Sequence, residues 1–305
     1  MSPRSGAAPG AGLALAPAVF VLLWSSGFIG AKLGLPYAEP FTFLVLRFAF
    51  VIALMLPLAL FLRARWPGTL REGRHIAVAG ALIQGGYLAG CFAAIHHGMP
   101  AGMIALIVGL QPVVTALAAA PVLGERVTQV QWLGLVLGFA GVVMVMWPKL
   151  ALHELPVASI AWAALSLASI TAGALYQKRC CPRFDLRAGS VIQFGAAMLI
   201  LLPLALFTET MEVRWSGELV FALAWLVLVL SIGAISLLFY LIEHGEATRV
   251  ASLFYLTPLS TAAMAWAIFG EKLGALGLAG MLIGIVGVAL VVRKPGLEPA
   301  ATPEP

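Results

Sequence analysis

Chemistry in this 305-residue chain has to come from very few side chains. Arg47 lies seven residues into an apolar run, about 9 Å deep at about 1.5 Å per helical residue. An ionisable group at that depth is costly and marks function by default. It can reach back to the interface along its aliphatic stem or pair with Glu39, or it can hold an anionic group of a bound solute. Glu125 and Glu271 resemble a carboxylate pair only at first sight, because each sits in a turn, Gly124-Glu125-Arg126 and Gly270-Glu271-Lys272. Thr128 and Gln131 have capping-box spacing, and Glu125 suits the positive end of that helix, so these glutamates read as structural. His96-His97-Gly98 is echoed by Glu243-His244-Gly245, either as interfacial residues or as protonatable pairs at two opposite gates. No Asp or Glu stands centrally in an apolar run, so coupling through a mid-membrane carboxylate has no support. Cys91 is isolated, and Cys180 and Cys181 are adjacent, a spacing that suits neither a metal site nor a disulfide framework. No catalytic residue, metal or cofactor is expected.

A second constellation surrounds two prolines. Pro112 and Pro258 each fall about midway along an apolar run, with Gln111 and Thr115 beside the first and Thr257, Ser260 and Thr261 beside the second. Proline lacks an N–H and clashes with the carbonyl four residues earlier, which would free the carbonyls of Val108 and Phe254 in hydrocarbon, where unsatisfied groups are costly. Two ordinary kinks satisfy the pattern. So does a midplane binding site, to which paired breaks in corresponding halves are the best sequence pointer.

The elements holding these residues follow from composition. The chain is 62% hydrophobic and 10% charged, against about 25% charged in soluble domains. That excludes a water-facing surface, and the net charge of +5, spread between apolar runs, argues against nucleic acid as a partner. A bilayer core of about 30 Å needs about 20 helical residues, and ten such runs are legible: 13–36, 41–62, 76–95, 101–123, 128–147, 156–176, 188–207, 219–241, 247–269 and 273–292. The first is longer than the roughly 7–15 apolar residues of a signal peptide and reads as a retained span with Lys32 as an anchor near its end. Residues 1–12 and 295–305, rich in Pro, Gly and Ala, read as disordered tails. Alternate loops carry 13 and 4 Lys plus Arg. By the positive-inside rule both termini and the basic side face the cytoplasm.

The chain also repeats itself. Pro57, Pro112, Gly124, Gly134, Gly138 and Gly141 return 146 residues later as Pro203, Pro258, Gly270, Gly280, Gly284 and Gly287. Five spans per half is an odd number, so the second half must be inverted, a device of secondary transporters. The expectation is an all-α polytopic membrane protein of ten transmembrane helices, with one five-helix repeat over 13–149 and its inverted copy over 150–294. The His-His-Gly echo is one residue out of register and implies a single-residue insertion. The G-x-x-x-G-x-x-G faces of the fifth and tenth spans are packing surfaces, within the bundle or in a dimer.

Trp24-Ser25-Ser26-Gly27-Phe28, Leu46-Arg47-Phe48, and the duplicated stretch from Pro112 through Gly124-Glu125-Arg126-Val127-Thr128 and Gln131-Trp132-Leu133-Gly134 to Gly141 resemble the EamA-type family of the drug/metabolite transporter superfamily. The likeness covers nearly everything between Leu13 and Lys294. It departs where Arg47 corresponds to Gln193 and Trp24 to Ile170. It implies that the first, third, fourth, sixth, eighth and ninth spans line a cavity. Those spans offer Trp24, Ser26, Gln84, Tyr87, Gln111, Trp162, Ser166, Ser169, Ser236, Tyr240, Tyr255 and Thr257, with Arg47 as the charged candidate and Pro112 and Pro258 as helix breaks or gates. Such a lining suits zwitterionic, neutral or moderately apolar metabolites. The expected function is export of a small metabolite, amino acid or drug-like compound across the cytoplasmic membrane by alternating access, as a monomer or homodimer. A membrane-embedded lipid-modifying enzyme would need a reactive cluster at one interface, and a channel would conduct without saturation.

Overall fold

The computed structural model describes residues 11–99, 104, 107–124, 127–147, 156–181, 184–244, 247–269 and 274–292. The turns holding Glu125 and Glu271 lie outside this set, as do the side chains of Lys32, His244 and Thr261. Among the described residues all regular structure is helical. The elements are α1 (Ala11–Gly34), α2 (Pro40–Phe61), α3 (Leu70–Gly80), a π-helical segment Ala81–Gly86, α4 (Tyr87–His96), α5 (Gln111–Leu123), α6 (Gln129–Met146) and α7 (Val157–Cys180). They continue with α8 (Leu186–Thr208), α9 (Gly217–Trp225), a second π segment Leu226–Ala234, α10 (Ile235–His244), α11 (Ala247–Ser252), a 3₁₀ turn Leu253–Tyr255, α12 (Leu256–Phe269) and α13 (Ala275–Val292). The described part of α1 includes Ala11 and Gly12, and the rest of the expected N-terminal tail lies outside the described residues.

Among the described residues six helices are long and apolar enough to cross a membrane: Pro40–Phe61, Leu70–His96, Val157–Cys180, Leu186–Thr208, Gly217–Glu243 and Ala275–Val292. Shorter apolar helices run over Leu15–Gly27, Gln111–Leu123, Gln129–Val145 and Val250–Ser260. Their outward faces carry large apolar side chains. Leu199, Leu206 and Phe207 on α8 and Leu278, Leu282 and Ile285 on α13 are exposed, a surface matched to lipid rather than water. One continuous core, including Phe20, Phe43, Phe48, Phe194, Phe239 and Tyr255, joins both halves.

The glycine faces are spent on each other. α6 and α13 pack with backbones touching: a Cβ added at Gly141 would lie 2.5 Å from Gly284 N, and one at Gly287 2.3 Å from Gly138 N. Only residues without a side chain allow that approach, so the repeated pattern forms a seam inside one chain. At the head of α6 the capping box forms as expected, with Gln131 N–H donating to Thr128 Oγ1 (3.3 Å) and Thr128 N–H to Gln131 Oε1 (2.9 Å).

The repeat is visible in irregularities as well as helices. Thr69 and Ser216 cap α3 and α9 by accepting from the backbone N–H three residues on, Glu72 and Leu219. These caps are 147 residues apart, whereas Pro57 and Pro203 are 146 apart. The inserted residue therefore lies in the loop between α8 and α9. With that shift the first π segment maps inside the second. The proline breaks differ in detail from the expected mid-helix kinks. Pro112 stands in the first turn of α5 after a turn at Gly109–Leu110, and Pro258 in the first turn of α12 after the 3₁₀ turn. In a first turn the missing N–H has no helical partner to lose. The 3₁₀ geometry also turns the Leu256 N–H onto the carbonyls of Leu253 and Phe254, so the carbonyl of Phe254 is not left without a donor.

Candidate functional site

Among the described residues, two of the cavities along the bundle are related by the repeat. The first, with about 40 Å³ open to water, is lined by Trp24, Gly27 and Ala31 of α1, Arg47 of α2, Tyr87, Leu88, Cys91, Phe92 and Ile95 of α4, and Leu230 and Ile235. The second is tighter, with about 10 Å³ open to water, and is lined by Ile83, Gln111, Ile170, Ala174, Leu238, Ile242, Val250, Ala251 and Phe254. Ile170 is the repeat equivalent of Trp24, while Ile83, Leu238 and Ile242 are those of Leu230, Cys91 and Ile95 in the 147 register. The first cavity lies toward the face carrying the α1–α2 and α8–α9 loops, the second toward the face carrying the α2–α3 and α7–α8 loops. They meet at an aromatic cluster. Trp24 lies 6.2 Å from Tyr87 and nearly parallel to it (15°), and it contacts Phe254 edge-on at 5.3 Å; Phe20 joins both at 5.2 and 5.5 Å. Phe254 owes its place to the 3₁₀ turn ahead of Pro258.

Among the described residues Arg47 is the one charged residue in either lining, and it is 3% exposed. It neither reaches the interface nor pairs with Glu39, because Glu39 accepts from the backbone N–H and the hydroxyl of Thr210, both at 2.7 Å. Instead Arg47 Nε donates to Ser231 Oγ at 2.9 Å, on the second π segment. At the equivalent place in the other half, Gln193 donates through Nε2 to Gln177 Oε1 at 2.9 Å, and Gln84, the counterpart of Ser231, has no partner for either amide atom.

The expected lining divides accordingly. Trp24, Arg47 and Tyr87 converge on the first cavity and Gln111 on the second. Ser166 and Ser169 are taken up where α7 packs on α4: Ser166 Oγ donates to the Tyr87 carbonyl at 3.0 Å, and a Cβ at Gly86 would stand 2.4 Å from Ser169 Oγ. On the same helix the Trp162 ring leans on Phe41 (5.7 Å). Ser26 Oγ donates to the Leu23 carbonyl (2.6 Å) and accepts from Trp225 Nε1 (2.9 Å). Gln84, Tyr255 and Thr257 are buried outside both linings, with Tyr255 Oη and Thr257 Oγ1 lacking partners. Ser236 and Tyr240 are half-buried and outside both as well. Among the described residues no three His, Cys, Asp or Glu converge as a metal site.

Sequence reasoning missed the closures at the two faces, although the repeat carried the signal: Glu39 and Asp185 are 146 residues apart, each at the head of a long helix. Glu39 holds Thr210 across the halves. Asp185 accepts from the Arg65 backbone N–H at 3.1 Å and pairs with Arg187 at 2.7 Å. Glu209 adds a cap for α2, accepting from the N–H groups of Phe41 (2.8 Å) and Thr42 (2.7 Å) and the Thr42 hydroxyl. Hydrogen bonds from the Arg187 side chain, and then from backbone N–H groups, hold the Asp185 carboxyl down at about 2. A carboxylate depressed on folding contributes stability above its unfolded value near 4 that is lost as pH falls through the folded one. Thermal melts in detergent should therefore lose stability between about pH 4 and pH 2, and Asp185→Asn should flatten that part of the profile; an unchanged slope would remove Asp185 from the closure.

A bundle of membrane-length helices with lipid-matched faces and repeated internal cavities defines a polytopic helical membrane protein of the transporter class. The EamA-like transporter family matches residues 9–147 and 157–293, and the chain belongs to that family, within the drug/metabolite transporter superfamily. It is 28% identical over 296 residues to the uncharacterized transporter YvbV of Bacillus subtilis, covering 94% of each chain. It is 26% identical over 282 residues to a probable amino-acid metabolite efflux pump of Salmonella typhimurium, covering 89% of this chain and 92% of that one. It is 24% identical over 299 residues to the uncharacterized inner membrane transporter YedA of Escherichia coli, with 94% of each covered. A crystal structure at 18% identity superposes with a TM-score of 0.75 over 91% of this chain and 96% of its own, a likeness of fold.

Proposed function

We propose that this chain is a ten-span carrier of two inverted five-helix repeats, exporting a small metabolite across the cytoplasmic membrane by alternating access. The observation that carries this reading is the pair of repeat-equivalent cavities, directed to opposite faces and parted by the Trp24–Phe254 contact. Opening one face while the other is held by Glu39 or Asp185 would expose the cavities in turn. Trp24, Arg47 and Tyr87 contact the solute on one side of the contact and Gln111 on the other, with the breaks before Pro112 and Pro258 letting α5 and α12 move. The basic loops favour cytoplasmic termini by the positive-inside rule, and the relatives named as efflux pumps favour export. Since the glycine seam is satisfied within the chain, one chain suffices for a cycle.

Purified protein in liposomes should show saturable uptake and counterflow of a solute drawn from an amino-acid-derived metabolite panel. Conductance without saturation would replace the carrier with a channel, and a complete absence of flux across the panel would end the reading.

A further inference from the structure

Within that carrier reading, we infer that the Arg47 cavity is a site for a small organic monoanion, its carboxylate seated on the guanidinium and its apolar body against Trp24, Phe92 and Leu230. Arg47 is 3% exposed, and the one hydrogen bond its side chain makes to a described residue, Nε to Ser231, is to a neutral oxygen. A buried cation without a counter-charge is strongly unfavourable, and nearby carboxylates are committed elsewhere: Glu39 to Thr210, Glu209 to the head of α2. With Nε occupied, the guanidinium edge bearing the two terminal nitrogens remains, and it matches a carboxylate bidentately. The rest of the lining selects what the carboxylate is attached to. It holds rings, aliphatic groups, one thiol and one phenol, with no Asp or Glu among its members, so an ammonium group would enter without a partner. This moves the sequence-based expectation from zwitterionic, neutral or moderately apolar metabolites to monoanions with an apolar body. The second cavity offers a contrast: Gln193 stands where Arg47 would be but is buried outside that lining and bonded to Gln177, so the same solute would meet no cation there and be held less firmly.

The test uses full-length protein in detergent, followed by thermal shift and tryptophan fluorescence. Phenylacetate, indoleacetate and isovalerate are titrated beside their amides, with phenylalanine as the zwitterionic control. The expected result is that at least one acid raises the melting temperature while its amide and phenylalanine do not, since a ligand preferring the folded state stabilises by mass action. Arg47→Gln should weaken that acid about tenfold or more, as loss of charge-assisted hydrogen bonds does, and Arg47→Lys less. Arg47→Gln removes a buried charge and should fold at least as well as the parent. If no acid surpasses its amide, or if Arg47→Gln binds the acid as tightly, the monoanion site is wrong. Counterflow separates the two readings. Parent protein that exchanges neutral solutes yet binds no acid keeps the carrier and overturns the site, whereas acid binding through Arg47 without counterflow keeps the site and overturns the carrier.

Discussion

Gly141→Leu should leave almost no monodisperse protein after extraction from the membrane. A Cβ at Gly141 would lie 2.5 Å from Gly284 N and 2.6 Å from the Gly280 carbonyl oxygen. Backbone in a packed helix has no rotamer to change, so α6 and α13 must separate along the seam. Overpacking a core costs about 1–3 kcal/mol when side chains can adjust; here they cannot, and the cost should exceed that range. Against a typical stability of about 5–15 kcal/mol, such a loss removes much of the margin. Gly195→Leu is the matched control. It puts the same side chain into a helix of similar apolarity, but a Cβ there meets nothing within 4 Å, so yield and elution volume should stay near those of the parent. Equal behaviour of the two variants would mean the seam is not what holds the halves together.

Pro258→Ala should do the opposite: spare the fold and slow the carrier. Proline and the 3₁₀ turn Leu253–Tyr255 separate α11 from α12, and that turn aims Phe254 at Trp24. Alanine restores an N–H at position 258, allowing one helix to run through and drawing Phe254 off the contact. Thermal stability should hold or rise slightly, since proline in a first turn costs the helix little and alanine is the better helix former wherever the helix runs through. Counterflow should fall about tenfold, which corresponds to a barrier raised by about 1.4 kcal/mol. Unchanged counterflow with a melting temperature at least equal to the parent's would show that the break serves packing alone.

These two positions also show what the sequence made legible. Gly134, Gly141, Gly280 and Gly287 announced a packing face because helix–helix contact reads directly as spacing, and Thr128 announced a cap because capping is local. The repeat announced Pro112 and Pro258 for the same reason. The partner of Arg47 was not legible, since Ser231 is 184 residues away and no periodicity ties them. Nor was the division of the lining. Ser26, Ser166 and Trp162 sit on the proposed helices, but which side of a uniformly apolar helix faces a cavity depends on rotation, and an all-round apolar pattern does not encode rotation. The π segments escaped for a related reason: Ala-Leu-Ile-Gln-Gly-Gly looks the same whichever way its carbonyls are paired.

Those π segments have a mechanical consequence. Each carries one residue more than an α pitch requires, with the Tyr87 N–H reaching back five residues to the Leu82 carbonyl. Tightening such a segment to α pitch releases that residue and turns everything downstream by about 100°. For α4 the turn would sweep Tyr87, Cys91 and Ile95 off the cavity wall together, and for α10 it would sweep Leu238 and Ile242. The bundle thus contains two screws, one per half, able to exchange whole helix faces without a flexible joint, and what a wall displays depends on how many residues precede it as much as on which residues they are.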